Sequence, residues 1–204
     1  TRTRSRIRGE TVSNYAVILA AGPSRRMGQP KALLELGGSS LLQRTIGVAR
    51  GADFQPLVVL GADAESVAKE TGDAQTISNP NWKDGMGTSI ARGISALPDQ
   101  AEHAVIMAVD QPEVDAGLLR DLLDGCTGGA DACATRYPDG NLGVPTCFSS
   151  ALFDELSRLD GDRGAKKLLH ADRWRVDSVD GDGKTIDVDT PEQWSAYLGE
   201  RRSG

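Results

Sequence analysis

Apolar residues in this chain come in short unbroken runs, and between the runs they recur at helical spacing. Ala16-Val17-Ile18-Leu19, the stretch Pro56-Leu57-Val58-Val59-Leu60-Gly61 and the stretch His103 to Val109 carry almost no polar interruption. Runs of that length predict strands buried on both faces. Between and after them, Leu41, Leu42, Ile46 and Val48, then residues 64–70, then Ile90, Ile94 and Leu97, then Leu118, Leu119, Leu122 and Leu123 mark helices with one apolar side. Ser39 or Ser40 can cap the first helix by accepting from its free N–H groups. A short strand is expected over 74–78, and strands over 131–136 and 143–148 flank the turn Tyr137-Pro138-Asp139-Gly140-Asn141. Ile186-Val188 alternation predicts a last short strand with Asp187 and Asp189 on one side. A helix begun by Pro191 and capped by Thr190 turns Trp194 and Leu198 inward. Strands alternating with helices predict an α/β fold: a three-layer α/β/α domain around a mostly parallel sheet.

In such sheets ligands sit beyond the carboxyl ends of the strands, and two loops there carry chemistry. After Leu19 the chain breaks into Ala20-Ala21-Gly22-Pro23-Ser24, followed by Arg25, Arg26, Gly28 and Lys31. Small residues let backbone N–H groups approach a ligand, and the cations beyond them suit a polyphosphate. The loop is neither GxxxxGK[ST] nor GxGxxG. At the end of the 103–109 strand stands Asp110-Gln111-Pro112. A carboxylate facing a phosphate loop is a natural Mg²⁺ ligand, since that ion takes one or two protein oxygens and leaves the rest to phosphates and water. Taken alone, Asp110 reads equally well as a turn-initiating Asp before a proline. Asn79 to Ile90, NPNWKDGMGTSI, joins a loop to a helix start, with Thr88 and Ser89 in the first turn; by itself it is also an ordinary glycine loop with a Ser/Thr cap.

Composition narrows the classes. The 204 residues suit one domain, with residues 1–13 a basic disordered tail and 14–199 the domain. A net charge of −6 argues against a general nucleic-acid or membrane-surface binder. No run is long enough for a membrane-spanning helix, and the start lacks the apolar stretch of a secretion signal. Three cysteines (Cys126, Cys133, Cys147) with no CxxC pair suit a reduced, cytoplasmic protein and argue against zinc. Asp180-Gly181-Asp182-Gly183 lacks calcium-loop spacing and reads as a tight turn. His103 and His170 stand alone and read as structural.

LAAGPSRRMGQPK resembles the signature LAAGxSxRMGxxK of the MobA-like nucleotidyltransferases, and within them is most similar to the molybdenum cofactor cytidylyltransferases. Asn79–Ile90, Asp110-Gln111-Pro112, Gly143-Val144-Pro145-Thr146-Cys147-Phe148, the GDxGA-like Gly161-Asp162-Arg163-Gly164-Ala165 and Asp187-Val188-Asp189-Thr190-Pro191-Glu192 resemble further family segments in the same order. The resemblance implies a Rossmann-like nucleotidyltransferase domain that moves a cytidylyl group from CTP to the phosphate of molybdopterin, with Mg²⁺. It implies nucleotide contacts at Leu19, Ala20, Ala21, Gly22, Ser24, Arg25, Gly28, Gly85, Thr88 and Ser89. It implies catalytic roles for Lys31, Asp110 and Arg26, and a metal held by Asp110 with Asp189, favoured over Asp187. LAAG, where guanylyl-transferring relatives carry LAGG, points to CTP over GTP through Ala21. Val144 departs from a His common in the cytidylyltransferases, which keeps other phosphorylated acceptors open. Arg163, Lys166 and Lys167 either reach the acceptor phosphate or form a solvated helix face. A third alternative is a nucleotide-cofactor-binding oxidoreductase, or a delivery partner in transient contact with a molybdoenzyme.

Overall fold

The computed structural model describes residues 14–161 and 164–203. The basic tail at 1–13 and Arg163 lie outside the described residues.

β1 (Asn14–Ala20) is an interior strand of the sheet. After its loop the chain forms a small hairpin, β2 (Glu35–Leu36) and β3 (Ser39–Ser40), turned by Gly37 and Gly38 at φ +63° and +82°. Both turn positions lie in the left-handed region that glycine enters without strain. α1 (Leu41–Gly51) starts on Ser40, not Ser39: the Ser40 hydroxyl accepts from the Gln43 N–H, and the Gln43 side chain returns a bond to the Ser40 N–H. β4 (Gln55–Leu60), α2 (Ala64–Ala68), β5 (Gln75–Ser78), α3 (Met86–Ile94), β6 (His103–Ala108) and α4 (Ala116–Thr127) follow. β7 (Ala132–Arg136), β8 (Leu142–Ser149), the short helices α5 (Phe153–Leu156) and α6 (Lys166–Leu169), β9 (Val176–Asp180) and α7 (Pro191–Ser203) complete the described chain.

The sheet order is β5-β4-β1-β6-β8-β7-β9, and β8 alone runs against the others. Strand alternation divides the core into two layers. Ala16, Ile18, Val58, Leu60, Val105 and Met107 face α1, α2 and α4 through Leu42, Ile46, Val67, Leu118, Leu119 and Leu122. Val17, Val59, Ala104, Ile106 and Phe148 face α3, α5 and α6 through Ile90, Ile94, Leu156, Leu168 and Leu169. The α/β/α expectation is met. Cys126, Cys133 and Cys147 are buried between α4, β7 and β8 as free thiols, and burial pushes Cys133 up to about 12. Among the described residues, no helix is long and apolar enough to cross a membrane.

One expected strand is absent. Residues 186–189 do not join the sheet: Val188 N–H donates to the Asp110 carbonyl at 3.0 Å, and the strand beside β7 is β9, which the hydrophobic pattern did not reveal. Val188 instead turns into a third apolar cluster with Met27, Leu34, Leu36, Leu41 and Tyr197, while Ile186 is exposed. Asp180–Gly183 is the tight turn expected, closed by Lys184 N–H donating to the Gly181 carbonyl at 2.7 Å.

α3 lies close against the sheet at Gly93, where an added Cβ would fall 2.3 Å from Val17 Cγ1 and 3.0 Å from Val59 Cγ2. Both neighbours are β-branched core residues with little freedom to move. Gly93→Ala is expected to cost about 1–3 kcal/mol by overpacking, read as a lowered urea midpoint. An unchanged midpoint would show that α3 can lift from the sheet without loss.

Candidate active site

The carboxyl ends of β1 and β6 open into a cleft of about 480 Å³. Strand pairing sets this up: Leu19 lies beside Ala108, so the loop leaving β1 and the turn carrying Asp110 emerge side by side. Leu19, Ala20, Ala21, Gly22, Ser24 and Arg25 line the cleft from the loop, with Arg26 and Lys31. A Cβ on Gly22 would meet no protein atom within 4 Å, so its smallness leaves room in the cleft and answers no packing need. Ser24 sits at φ +46°; its carbonyl accepts from Met27 N–H at 2.9 Å and its hydroxyl from Lys31 N–H at 3.0 Å, which closes the loop on itself. Gly28, at φ +75°, is exposed and stands outside the lining.

The loop is anchored from β4. Ala62 N–H donates to the Ala21 carbonyl at 3.1 Å, and a Cβ on Gly61 would lie 2.4 Å from that oxygen and 2.7 Å from the Ala21 methyl. The Ala21 methyl therefore packs toward Gly61.

A charge cluster occupies the floor. Lys31 Nζ donates to Asp110 Oδ2 at 2.7 Å and also to Asp189 Oδ1, while Arg26 donates to Asp189 Oδ2 at 2.8 Å. The Lys31 side chain is 13% exposed and that of Arg26 69%, so Lys31 is the inner cation and Arg26 the outer one. Burial alone would lower the Lys31 pKa, but the hydrogen bonds and charges of Asp110 and Asp189 outweigh it and hold the ammonium above its ordinary value. Asp189 is held below the usual carboxylate range by Lys31 first and Arg26 next. Asp189 reaches this point from the start of α7, where Thr190 caps Gln193 and Val188 N–H donates to the Asp110 carbonyl at 3.0 Å.

Asp187 lies apart from the ammonium. It accepts from Gln111 Nε2 at 3.0 Å, and the same amide nitrogen donates to the Tyr137 hydroxyl at 2.8 Å, which donates onward to the Val144 carbonyl at 2.7 Å. Burial, then the charge of Asp110, pushes the Asp187 carboxyl up; burial and the Asp187 charge push Tyr137 up to about 12. The Ile186–Asp189 segment thus brings both carboxylates toward Asp110 although it is not a strand.

On the α3 side, Gly85, Met86 and Ser89 line the cleft, with Trp82 and Lys83. Thr88 does not: its hydroxyl bonds the Asn81 and Gly85 carbonyls at 3.0 and 2.9 Å and accepts from Asn79 Nδ2. Asn79 Nδ2 also donates to Ser89 at 3.0 Å, so these hydroxyls first shape the loop. Val144 lines the opposite wall, whereas Lys166 and Lys167 are exposed on α6 outside the lining. Sequence reasoning missed Trp82, Lys83, Met86, Gln111 and Tyr137. Trp82 and Met86 stood inside a stretch already singled out, but nothing in the spacing connects Gln111 to Asp187.

The donor set fits a hard divalent cation. Among the described residues, no three carboxylate, imidazole or thiol groups form a metal-holding cluster. Two carboxylates beside an open phosphate-type loop are the complement Mg²⁺ takes when phosphates and water supply its other oxygens.

The mostly parallel sheet, the small-residue loop and the carboxylates at the strand ends define a nucleotide-handling α/β domain. Residues 16–177 match the MobA-like NTP transferase domain, and the chain belongs to that family. It is 31% identical over 194 residues to nicotine blue oxidoreductase of Paenarthrobacter nicotinovorans, covering 89% of this chain and 95% of that protein. It is 28% identical over 193 residues to purine catabolism protein PucB of Bacillus subtilis, covering 87% and 92%. The crystal structure of Rv0371c from Mycobacterium tuberculosis superposes with a TM-score of 0.80 at 34% identity, over 92% of this chain and 98% of that one. Its complex with manganese superposes at 0.74 with 32% identity and the same coverage. Transferases of this family usually use a divalent metal, and that complex places such an ion among the relatives.

Asp187→Asn keeps an oxygen for Gln111 and removes a charge that burial and Asp110 oppose. A carboxyl whose proton affinity is raised on folding costs stability when ionised; the cost is absent below the ordinary carboxylate range and full above the raised value. The variant is therefore expected to melt higher than the parent at pH 7, with the difference fading toward about pH 4. A lower melting temperature at pH 7 would show that the Asp187 charge is compensated in the fold. Gly61→Ala is expected to displace the Ala21 backbone and weaken nucleotide binding about tenfold or more while secondary structure, read by circular dichroism, is kept.

Proposed function

We propose that this chain is an Mg²⁺-dependent nucleotidyltransferase that moves a cytidylyl group from CTP to the phosphate of molybdopterin and releases pyrophosphate. One observation carries the reading: Lys31, Asp110 and Asp189 meet at the mouth of the small-residue loop, and all three line the same cleft. Binding a cofactor for another purpose does not call for a buried cation and two carboxylates at that point.

The attacking group, a phosphate oxygen, is already anionic, so the reaction needs positioning and charge neutralisation more than a general base. The backbone N–H groups of Ala21, Gly22 and Ser24 receive the β- and γ-phosphates that depart, with Arg26 on their outer side. Lys31 neutralises charge building on the α-phosphate. Mg²⁺, held by Asp110 and Asp189, supplies Lewis-acid charge to the phosphates when bound. Gly85 and Ser89 face the nucleoside, and the wall at Val144 faces the acceptor. CTP is favoured over GTP by Ala21, and the pterin by the resemblance to molybdenum cofactor cytidylyltransferases; a different phosphorylated acceptor would leave every other role in place.

The near full-length similarity to nicotine blue oxidoreductase favours a second reading, a nucleotide-cofactor-binding oxidoreductase on the same fold. Melting shifts with CTP, GTP, ATP, UTP and NADH, each with and without Mg²⁺, separate the two, because any ligand of the folded state alone stabilises it. The largest shift is expected with CTP and only when Mg²⁺ is present; a shift confined to NADH and indifferent to Mg²⁺ would replace the transferase reading with the second. Asp110→Ala is expected to lower cytidylyl transfer by on the order of 10²–10³ while the fold remains. Turnover near that of the parent would remove Asp110 from the site chemistry.

A further inference from the structure

We infer that the Lys31 ammonium is the internal occupant of the divalent-cation position, and that the cation and a nucleotide triphosphate consequently enter this site together and not separately. The inference rests on the nucleotidyltransferase reading above and adds to it a binding order.

The charges at the floor are paired, with Asp187 a third carboxylate nearby that bonds Gln111 and not the ammonium. Two carboxylates, Asp110 and Asp189, face two cations, Lys31 and Arg26, and Lys31 Nζ bonds one oxygen of each carboxylate, at 2.7 Å for Asp110 Oδ2. The side chains of Lys31, Asp110 and Asp189 are 13%, 23% and 30% exposed, so water screens their attraction less than on an open surface. Arg26, far more exposed, is the weaker partner.

A divalent cation arriving alone would have to push the ammonium away from both carboxylates. That would leave Lys31 charged, half-buried and without an acceptor. A triphosphate arriving alone would draw Lys31 and Arg26 toward its own oxygens, and Asp110 and Asp189 would then face an anion of their own sign. Arriving together, the two ligands exchange partners completely: ammonium and guanidinium pass to the phosphates, and the carboxylates take the divalent ion. Each ligand thereby raises the affinity of the other by the same factor. The same exchange explains why one lysine can stand between two metal-holding carboxylates and still serve the phosphates.

The test measures free Mn²⁺ by electron paramagnetic resonance with the full chain. Parent protein and Lys31→Met are titrated with MnCl₂ alone, and the parent is titrated again with CTP, allowing for the Mn²⁺–CTP complex formed in solution. Mn²⁺ alone is expected to bind Lys31→Met about tenfold or more tighter than the parent. CTP is expected to tighten Mn²⁺ binding to the parent on the order of 10–100-fold, and Mn²⁺ to tighten CTP by the same factor. Equal Mn²⁺ affinity of the two proteins without nucleotide, or a parent that binds Mn²⁺ equally well with and without CTP, would overturn the inference. If Lys31→Met does not fold, the reciprocal titrations of the parent decide it. Absence of CTP binding in every arm would instead sink the transferase reading, and the comparison with Mn²⁺ alone would still uphold or overturn the place given to Lys31.

Discussion

The ammonium of a lysine side chain that is 13% exposed needs anions close by, and the two that meet Lys31 stand 79 and 158 residues away in the chain. Much of the architecture supports that meeting. β1 must pair with β6 for the loop and Asp110 to emerge together, and α7 must dock for Asp189 to arrive from the other end of the domain. Docking depends on the third apolar cluster, in which Met27 from the loop itself packs with Leu36, Val188 and Tyr197. Arg26 and Gly28 flank Met27, so the residue that fixes the loop's cations in place is also part of the surface that receives the last helix. Loop and carboxylate are held by one hydrophobic contact.

A second network runs from the carboxylates to the far wall. Gln111 follows Asp110 directly and is buried; its amide joins Asp187 to Tyr137, and Tyr137 joins the Val144 carbonyl. The hydroxyl of Tyr137 has one proton, and Val144 receives it, so Gln111 must be the donor to Tyr137. That fixes which way the amide faces and leaves its nitrogen toward Asp187. The strand end that carries Asp110 is thereby tied to the wall expected to face the acceptor, and a shift in either is felt by the other.

Close backbone approach does the remaining positioning. Gly61 lets β4 come against Ala21, Gly93 lets α3 lie on β1, and a Cβ on Gly87 would fall 2.6 Å from the Asp160 carbonyl, so the start of α3 rests on the segment before α6. Each glycine lets two segments approach more closely than a side chain would allow. Their places along the chain carry no periodic mark, and their purpose is visible only where two segments touch.

Parts of the structure with local causes are legible in the sequence. Unbroken apolar runs specify buried strands, helical spacing specifies the helices that cover them, and the order of the two specifies a mostly parallel sheet with its loops at the carboxyl edge. Small residues after Leu19 and a carboxylate after Val109 were legible as chemistry for the same reason. Tertiary structure decided what depends on partners distant in the chain. The alternation of Ile186 to Asp189 suits a strand, but Val188 is drawn into the apolar cluster that receives α7 and its N–H goes to the Asp110 carbonyl, so the segment does not join the sheet. Thr88, in the first turn of a helix, suits a ligand contact by sequence, but its hydroxyl closes the loop on Asn81 and Gly85. Above all, a lysine and two aspartates could be named singly from their motifs. That one ammonium lies between both carboxylates follows only from the folded paths of β1, β6 and α7, because charge pairing depends on distance in space and leaves no pattern along the chain.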